Sequence, residues 1–426
     1  MRTSTSRSSS STRRLAKRAL ASLLAALAAA CHRPPATLPG AEPEIRVGLV
    51  TGAATVRLGG DGELFVTDDG SGQPVTAIPV GETWTAVADS AGAGVQLVRP
   101  DSTRTESHRG VSVVNVTEDR FAMVNGRRYR GRVGIFRTRG GLTTVNRLPV
   151  DAYVAGVLGL ELGARRSDEL EALLAQAIVS RTFALRNRGR WESDGFDATA
   201  DTRDQVYFGV VAETPQVWEA VRATAGEVLM YRGELVDAFF HSTCGYSTAG
   251  VEEAFKGAQP RPYLKPVSDA RGGGHYYCDL SPRFRWREQW DAQQLRAILS
   301  RTLPAVMNVG GDGLQRITDV EVTQTTRSGR VGELRIVFER GDVRIPGTDV
   351  RAVLRPDAGS LLQSTAFQVT VTKSDGALSR LVAAGAGSGH GVGFCQWGAI
   401  GRARAGQRHR EILTTYFPGT SVEKLY

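Results

Sequence analysis

The chain has 426 residues, 41% hydrophobic and 23% charged. That is the composition of a globular protein large enough for two or three domains, and it excludes a chain too poor in apolar residues to build a core. A formal charge of +9 and a pI near 9.6 suit an anionic partner such as a cell-wall polymer, a membrane surface or nucleic acid, without choosing among them.

Arg2, Arg7, Arg13, Arg14, Lys17 and Arg18 precede a short apolar run at residues 23–30. A basic segment, a run too short to span a bilayer and a string of small residues read as a signal peptide over residues 1–31. Ala28-Ala29-Ala30-Cys31 looks like a lipobox, so Cys31 is the expected lipidation site. The chain is then expected to be exported to the periplasm or cell envelope and tied to a membrane by its lipid. The alternative is an ordinary leader cut near Ala30. Residues 32–44 are rich in proline and read as a tether.

Folding is expected from Ile45. Short β-prone stretches at residues 45–50, 64–67, 95–98, 111–116 and 133–137 alternate with Gly, Asp and Asn clusters, and Asn125-Gly126 is a hairpin signal. Residues 45–147 therefore read as an N-terminal all-β module. After Ser167, a candidate N-cap, apolar residues at 170, 173, 174, 177, 178 and 185 predict an amphipathic helix ending near Gly189. Further helices are predicted at residues 215–224 and 290–302, and strands at 227–231, 235–241, 317–325, 333–339 and 367–372. The fold class is thus α+β, with a mixed α/β domain over residues 148–426. Within it, residues about 283–364 form an inserted region that walls a cleft or meets a partner.

The least random segment is residues 387–399, where glycines recur around His390 and Gln396; so many glycines allow close backbone approach to a ligand or a tight turn. Leu148-Pro149-Val150-Asp151-Ala152-Tyr153, Leu160-Glu161-Leu162, Ala175-Gln176-Ala177 and Arg181-Thr182-Phe183-Ala184 precede it. Asp201-Thr202, Gln205-Val206-Tyr207, Ala238-Phe239-Phe240-His241-Ser242, Pro262-Tyr263-Leu264 and Ser328-Gly329-Arg330 follow in order, and Tyr416-Phe417-Pro418-Gly419-Thr420 closes the set. From about Val124 onward this series resembles the SpoIID/LytB family. One departure is Glu161-Leu162-Gly163 where related sequences tend to have Glu-Met-Pro.

The resemblance implies a peptidoglycan lytic transglycosylase that cuts the MurNAc-GlcNAc bond of glycan strands, preferably stripped of stem peptides, and leaves a 1,6-anhydro end. Glu161 is the implied general acid and base, and no cofactor is required. The family also implies a rival, a non-catalytic LytB-like glycan-binding module that stimulates a cell-wall amidase partner. Nucleic acid is not an expected partner of an exported chain without a recognisable module. A single carboxylic acid suffices for the transglycosylase, because the sugar's own C6 hydroxyl closes the ring. Flanking apolar residues should raise its pKa.

The implied substrate contacts are Gln176, Arg181, Gln205, Tyr207, His241, Ser242, His390 and Gln396. Gln176 and Arg181 lie five apart and face different sides of their helix, so helix-to-sheet hydrogen bonding is the alternative for each. Gln205 and Tyr207 share one face of an extended stretch, and Tyr207 either stacks on a sugar or sits in the core. Beyond Cys31 three cysteines remain, Cys244, Cys278 and Cys395. In an exported chain a Cys244-Cys278 disulfide is expected; the alternative is zinc on His241, Cys244 and Cys278, zinc near the cleft having precedent in the family. A Cys395 nucleophile with His390 as base would place both partners on one short segment, where such pairs usually draw on separate elements.

Overall fold

A computed structural model describes residues 40–90, 94–115, 117, 119–307 and 316–426. The expected leader, Cys31 and most of the tether lie outside the described residues. The remainder, Glu42–Leu425, is one compact unit, and it is α+β.

The strand-rich half is built from β1 (Glu44–Ala53), β2 (Thr55–Gly60), β3 (Leu64–Asp68), β4 (Pro74–Ile78), β5 (Thr83–Ala88), β6 (Val95–Val98), β7 (Gly110–Asn115), β8 (Ala122–Val124), β9 (Arg127–Tyr129), β10 (Arg132–Thr138) and β11 (Gly141–Pro149). Strands β6, β5, β2, β8 and β9 make one sheet in that order. A larger sheet runs β12-β1-β11-β10-β7-β3-β4, where β12 (Ala198–Thr199) comes from the following region. Alternation along the strands buries Val56, Leu58, Val66, Trp84, Val111, Val113, Val133 and Ile135, as expected for strands with one face on a core. Asn125 and Gly126 both have positive φ, 50° and 84°, the pairing that a two-residue type I′ hairpin requires.

The strand-rich half is joined to the rest of the chain along its edge. β1 pairs in parallel with β12, and the Arg46 guanidinium meets the buried Asp197 carboxylate at 2.8 Å. Strand β11 leads straight into the first helix, α1 (Val150–Glu161), whose Val150 N–H donates to Pro43 O at 2.9 Å. Folding thus starts slightly ahead of Ile45.

Helix α1 is apolar nearly all round, burying Val150, Tyr153, Val154, Ala155, Val157 and Leu158, so packing rather than an amphipathic stripe holds it. Gly156 and Gly159 lie three apart, on one face. A Cβ at Gly156 would come within 2.4 Å of the Tyr207 ring, and one at Gly159 within 1.8 Å of Ala212 O. These glycines weaken the helix intrinsically by about 1 kcal/mol each but let it lie directly on the 206–212 segment. Gly163, at φ +67°, ends the helix in the left-handed conformation.

Behind α1 runs α2 (Leu170–Arg186), preceded by a 3₁₀ turn at Ser167–Glu169. Its residues from Ala172 to Ala184 are all buried, so the expected amphipathic helix is a core helix. Thr214 caps α3 (Pro215–Ala223) by accepting from Val217 N–H at 3.2 Å. Beside these helices, β13 (Glu227–Tyr231) pairs with β14 (Glu234–Leu235) and with a C-terminal strand at Ser421–Lys424. The strand predicted over residues 235–241 is split, its second piece being β15 (Phe240–His241). A four-residue helix, α4 (Val251–Ala254), and the hairpin of β16 (Ala270–Gly272) and β17 (His275–Tyr276) follow.

The inserted region has its own core and runs past the expected bound at residue 364 as far as Ala386, because Phe367, Leu378 and Leu381 belong to that same core. It contains β18 (Arg285–Asp291), α5 (Ala292–Val306), β19 (Ile317–Thr325), β20 (Val331–Phe338), β21 (Asp342–Pro346), α6 (Gly347–Val353), β22 (Phe367–Ser374) and β23 (Ala377–Ala386). Two three-stranded sheets and the helices enclose Trp290, Leu295, Leu299, Leu334, Ile336, Val350 and Leu381. The chain then returns through β24 (Phe394–Cys395), parallel to β15, into α7 (Gln396–Arg404), α8 (His409–Tyr416) and the terminal strand β25 (Ser421–Lys424).

Replacing Gly159 by alanine forces α1 away from backbone at Ala212, because the obstructing atom is a carbonyl oxygen rather than a yielding side chain. We expect Gly159→Ala to cost about 1–3 kcal/mol, read as a lowered urea midpoint with an unchanged slope.

Candidate active site

Glu161 occupies the last turn of α1 and α7 starts at Gln396, 235 residues later in the chain. The two meet: Gln396 Nε2 donates to Glu161 Oε2 at 3.0 Å. The same amide lies 3.5 Å from Gln176 Oε1 on α2, and Gln176 Nε2 donates to Ser180 Oγ at 3.1 Å. Gln176 and Gln396 are both buried. The structure thus brings three of the sequence-predicted residues into one hydrogen-bonded file, with the carboxyl at its outer end.

Burial pushes the Glu161 pKa above the usual carboxylate range, and the hydrogen bond from Gln396 partly offsets the rise. A neutral amide steadies the carboxylate without bringing a full positive charge, so the group keeps its affinity for a proton.

Glu161 lies in a cleft of about 570 Å³. One wall is aromatic: Phe183 and Phe240 meet edge-on at 6.3 Å, Phe239 lies 5.0 Å from Phe255, and the His390 ring sits 5.2 Å from Phe255. The lining also includes Asn187, Arg190, Thr202, Arg203, Asp204 and Val206. His390 Nδ1 accepts from Val392 N–H at 3.0 Å, so Nε2 carries the proton that it donates to Phe240 O at 2.8 Å. Burial, with His241 adding to it, depresses the His390 pKa to about 3. The ring is therefore neutral and shapes the wall rather than carrying charge.

Among the described residues, Asp204 is the other carboxylate lining the cleft, and it is fully engaged. It accepts from Arg190 at 3.0 Å, Trp191 Nε1 at 2.7 Å, Thr199 N–H at 2.8 Å and Thr199 Oγ1 at 3.0 Å. Its role is to fasten the 199–204 loop. Arg190 and Arg203 are exposed, and Arg203 is held by Asp201 at 2.8 Å.

Several expected contacts lie elsewhere. Tyr207 is buried against Tyr153 and Tyr129, its hydroxyl donating to Asn146 Oδ1 at 2.8 Å. Gln205, also buried, accepts from Tyr153 Oη at 3.3 Å. Both point under α1, as their shared face requires, and Val206 between them is the residue that lines the cleft. Arg181 is buried too. It reaches Asp151 Oδ1 at 2.6 Å, Glu227 O at 3.1 Å and Val221 O at 3.4 Å, tying α2 to α1, β13 and α3. Ser242 is not a lining residue; its hydroxyl lies 3.4 Å from Thr243 Oγ1 and its carbonyl accepts from Trp397 N–H at 3.0 Å.

The cysteine expectations are corrected as well. Cys244 and Cys278 are free, with sulfurs 3.5 Å apart, so no disulfide joins them. His241 does not complete a metal set with them: its Nδ1 is 3.1 Å from Val392 O and its Nε2 is buried without a hydrogen-bond partner among the described residues. The residues whose ligand atoms cluster with those two sulfurs are instead Asp269 and Cys395. Cys395 is buried, and His390 already has both ring nitrogens engaged, so the pair does not form a nucleophile and base.

A profile of the family described as Stage II sporulation protein matches residues 138–231, which carry α1, Glu161 and α2. The chain is 26% identical to Stage II sporulation protein D of Bacillus subtilis, over 68% of this chain and 79% of that one. It is 30% identical to an uncharacterised protein of Brachyspira hyodysenteriae, over 73% of this chain and 76% of the relative. It is also 26% identical to the Amidase enhancer of Bacillus subtilis, over 63% of this chain but only 40% of that longer protein. The chain belongs to the SpoIID/LytB family. A second profile, for a domain of unknown function, matches residues 273–393 and covers the inserted unit. The SpoIID profile therefore includes Glu161 and Gln176, whereas Gln396, which donates to Glu161, lies beyond both matched segments.

Sequence reasoning missed the aromatic wall, Arg190, Arg203 and Asp204. The adjacent Phe239 and Phe240, both half-buried where β15 begins, are the signal the sequence offers.

Replacing Gln396 by alanine removes the bond that lowers the Glu161 pKa. We expect Gln396→Ala to cut turnover by roughly tenfold, in keeping with about 1–1.5 kcal/mol for the bond, and to move the alkaline limb of the pH-rate profile upward. A loss of activity with an unmoved limb would show that Gln396 acts only through packing.

Proposed function

We propose that the protein is a peptidoglycan lytic transglycosylase and that Glu161 is its general acid and base. The observation that carries this reading is one free, desolvated carboxyl in an aromatic-walled cleft whose other lining carboxylate is tied up by four hydrogen bonds. A paired-carboxylate glycosidase needs a second free carboxylate as nucleophile or base. An intramolecular transglycosylase does not.

In the proposed reaction, protonated Glu161 gives its proton to the glycosidic oxygen as the bond from C1 of N-acetylmuramic acid breaks, and the departing N-acetylglucosamine keeps that oxygen as a hydroxyl. The C6 hydroxyl of the same muramic acid then attacks C1, and the Glu161 carboxylate takes its proton. The acid is restored and no water is consumed. The raised pKa keeps the proton on Glu161 at higher pH than an exposed glutamate would.

The Phe239, Phe240 and Phe255 faces suit the apolar faces of sugar rings. Arg190 and Arg203 suit the lactyl carboxylate that a muramic acid exposes once its stem peptide is removed. The similarity to Stage II sporulation protein D and to the Amidase enhancer supports a cell-wall role. The basic N-terminal segment and Cys31 support export and a lipid anchor in the cell envelope. The Amidase enhancer relationship also supports a second reading, a glycan-binding modifier of a cell-wall amidase.

The test is digestion of peptide-stripped peptidoglycan with products read by mass spectrometry. Anhydromuramyl ends should form with the wild type and fall by roughly 10²–10⁴-fold with Glu161→Gln. Glycan binding without cleavage by the wild type would favour the modifier.

Stability gives an independent check. A carboxyl whose folded pKa is raised binds more protons folded than unfolded, so its ionisation subtracts stability as pH rises above the unfolded value. Glu161→Gln should therefore melt higher than the wild type at neutral pH, with the gap closing near about pH 4. An equal or lower melting temperature at neutral pH would contradict the desolvated state of the acid.

A further inference from the structure

Cys244, Asp269, Cys278 and Cys395 come from four separate places: the turn after β15, the segment before β16, the turn after β17, and the N-cap of α7. All four are buried, and their ligand atoms lie within 4.8 Å of one another. None of them touches Glu161 in the hydrogen-bonded file, and the chemistry proposed above uses none of them.

The four ligand atoms converge on one point. The 3.5 Å between Cys244 Sγ and Cys278 Sγ is far beyond the ~2.05 Å of a sulfur-sulfur bond. It is close to the ~3.8 Å edge of a tetrahedron whose thiolates stand ~2.3 Å from a zinc ion. Cys395 Sγ accepts from Cys244 N–H at 3.2 Å and from Gly398 N–H at 3.3 Å; two backbone donors on one sulfur stabilise a thiolate. Asp269 is braced from both sides. Its Oδ1 accepts from Tyr416 Oη at 2.7 Å and from Arg402 at 3.3 Å, and its Oδ2 accepts from Cys278 N–H at 2.9 Å. Such outer partners orient a metal-bound carboxylate.

We infer that Cys244, Asp269, Cys278 and Cys395 form a structural zinc site. Three thiolates and one carboxylate make a closed tetrahedral set with no position left for substrate or water, which is the pattern of structural rather than catalytic zinc. Of the four negative charges on three thiolates and one carboxylate, Zn²⁺ would offset two and the buried guanidinium of Arg402 a third. A disulfide between Cys244 and Cys278 would instead leave Cys395 and Asp269 without a partner ion. The site also has a mechanical consequence. Cys395 is followed directly by Gln396, so an ion bound there pins the start of α7, and with it the amide that holds Glu161, to three distant segments. The metal site stands whether or not Glu161 is an acid catalyst.

The experiment is metal analysis of the full chain purified without chelator, with Co²⁺ substitution as the spectroscopic probe. We expect about one zinc per chain, released together with three reactive thiols. The Co²⁺ form should show thiolate charge-transfer absorption and tetrahedral visible bands. Asp269→Asn should retain the thiolate absorption while losing roughly tenfold or more in metal affinity, and Cys395→Ser should lose one thiolate's share of that absorption. Chelation should lower the melting temperature by several degrees in the wild type. A chain that carries no zinc and gives no Co²⁺ spectrum after reduction would overturn the site, as would a mass lower by two hydrogens with Cys244 and Cys278 linked.

Discussion

One hydrogen bond organises the cleft: the amide of Gln396 on the carboxyl of Glu161. It joins two helix ends that the sequence keeps 235 residues apart, and it does so with a neutral donor. An arginine or lysine in that place would pull the carboxyl well below its normal pKa and leave it ionised. An unpartnered carboxyl in the same half-buried position would lack a fixed orientation. The amide gives direction and leaves the proton affinity high, which suits the acid and base role proposed for Glu161.

Much of the remaining structure keeps those two ends in place. Glycines at 156 and 159 let α1 lie on the 206–212 segment, and Gly163 stops the helix just past the acid. Arg181, with Arg330 one of the two largest fully buried side chains among the described residues, reaches from α2 to α1, β13 and α3. On the other side, the parallel pairing of β24 with β15 and the cluster of three sulfurs and Asp269 fix the start of α7. The inserted unit packs around its own core, so the chain can carry some 100 residues between the cleft's aromatic strand and the Gln396 helix without displacing either.

What the sequence revealed divides along physical lines. Strands with one buried face, such as residues 95–98, and capped helices, such as residues 215–224, carry local signals that fix them closely. The order of motifs located Glu161, Gln176 and Gln396, because each is tied to a short pattern. Sequence could not tell which polar residues face the cleft. Arg181, Gln205 and Tyr207 have the chemistry of substrate contacts, yet the fold spends all three on internal hydrogen bonds. The α1 helix was obscured because it is apolar on every side and shows no helical period. The cysteines were misjudged for a related reason: Cys244 and Cys278 suggest a pair, whereas Asp269 and Cys395 become their neighbours only in three dimensions.

The central claim is that a single carboxyl at Glu161 cleaves a glycosidic bond without water. It is tested most directly by digesting peptide-stripped glycan strands in oxygen-18-labelled water and weighing the new ends. The account predicts 1,6-anhydromuramyl ends that carry no label. Reducing-end muramic acid with oxygen-18 at C1 would contradict it, since that product takes its new oxygen from water rather than from the C6 hydroxyl.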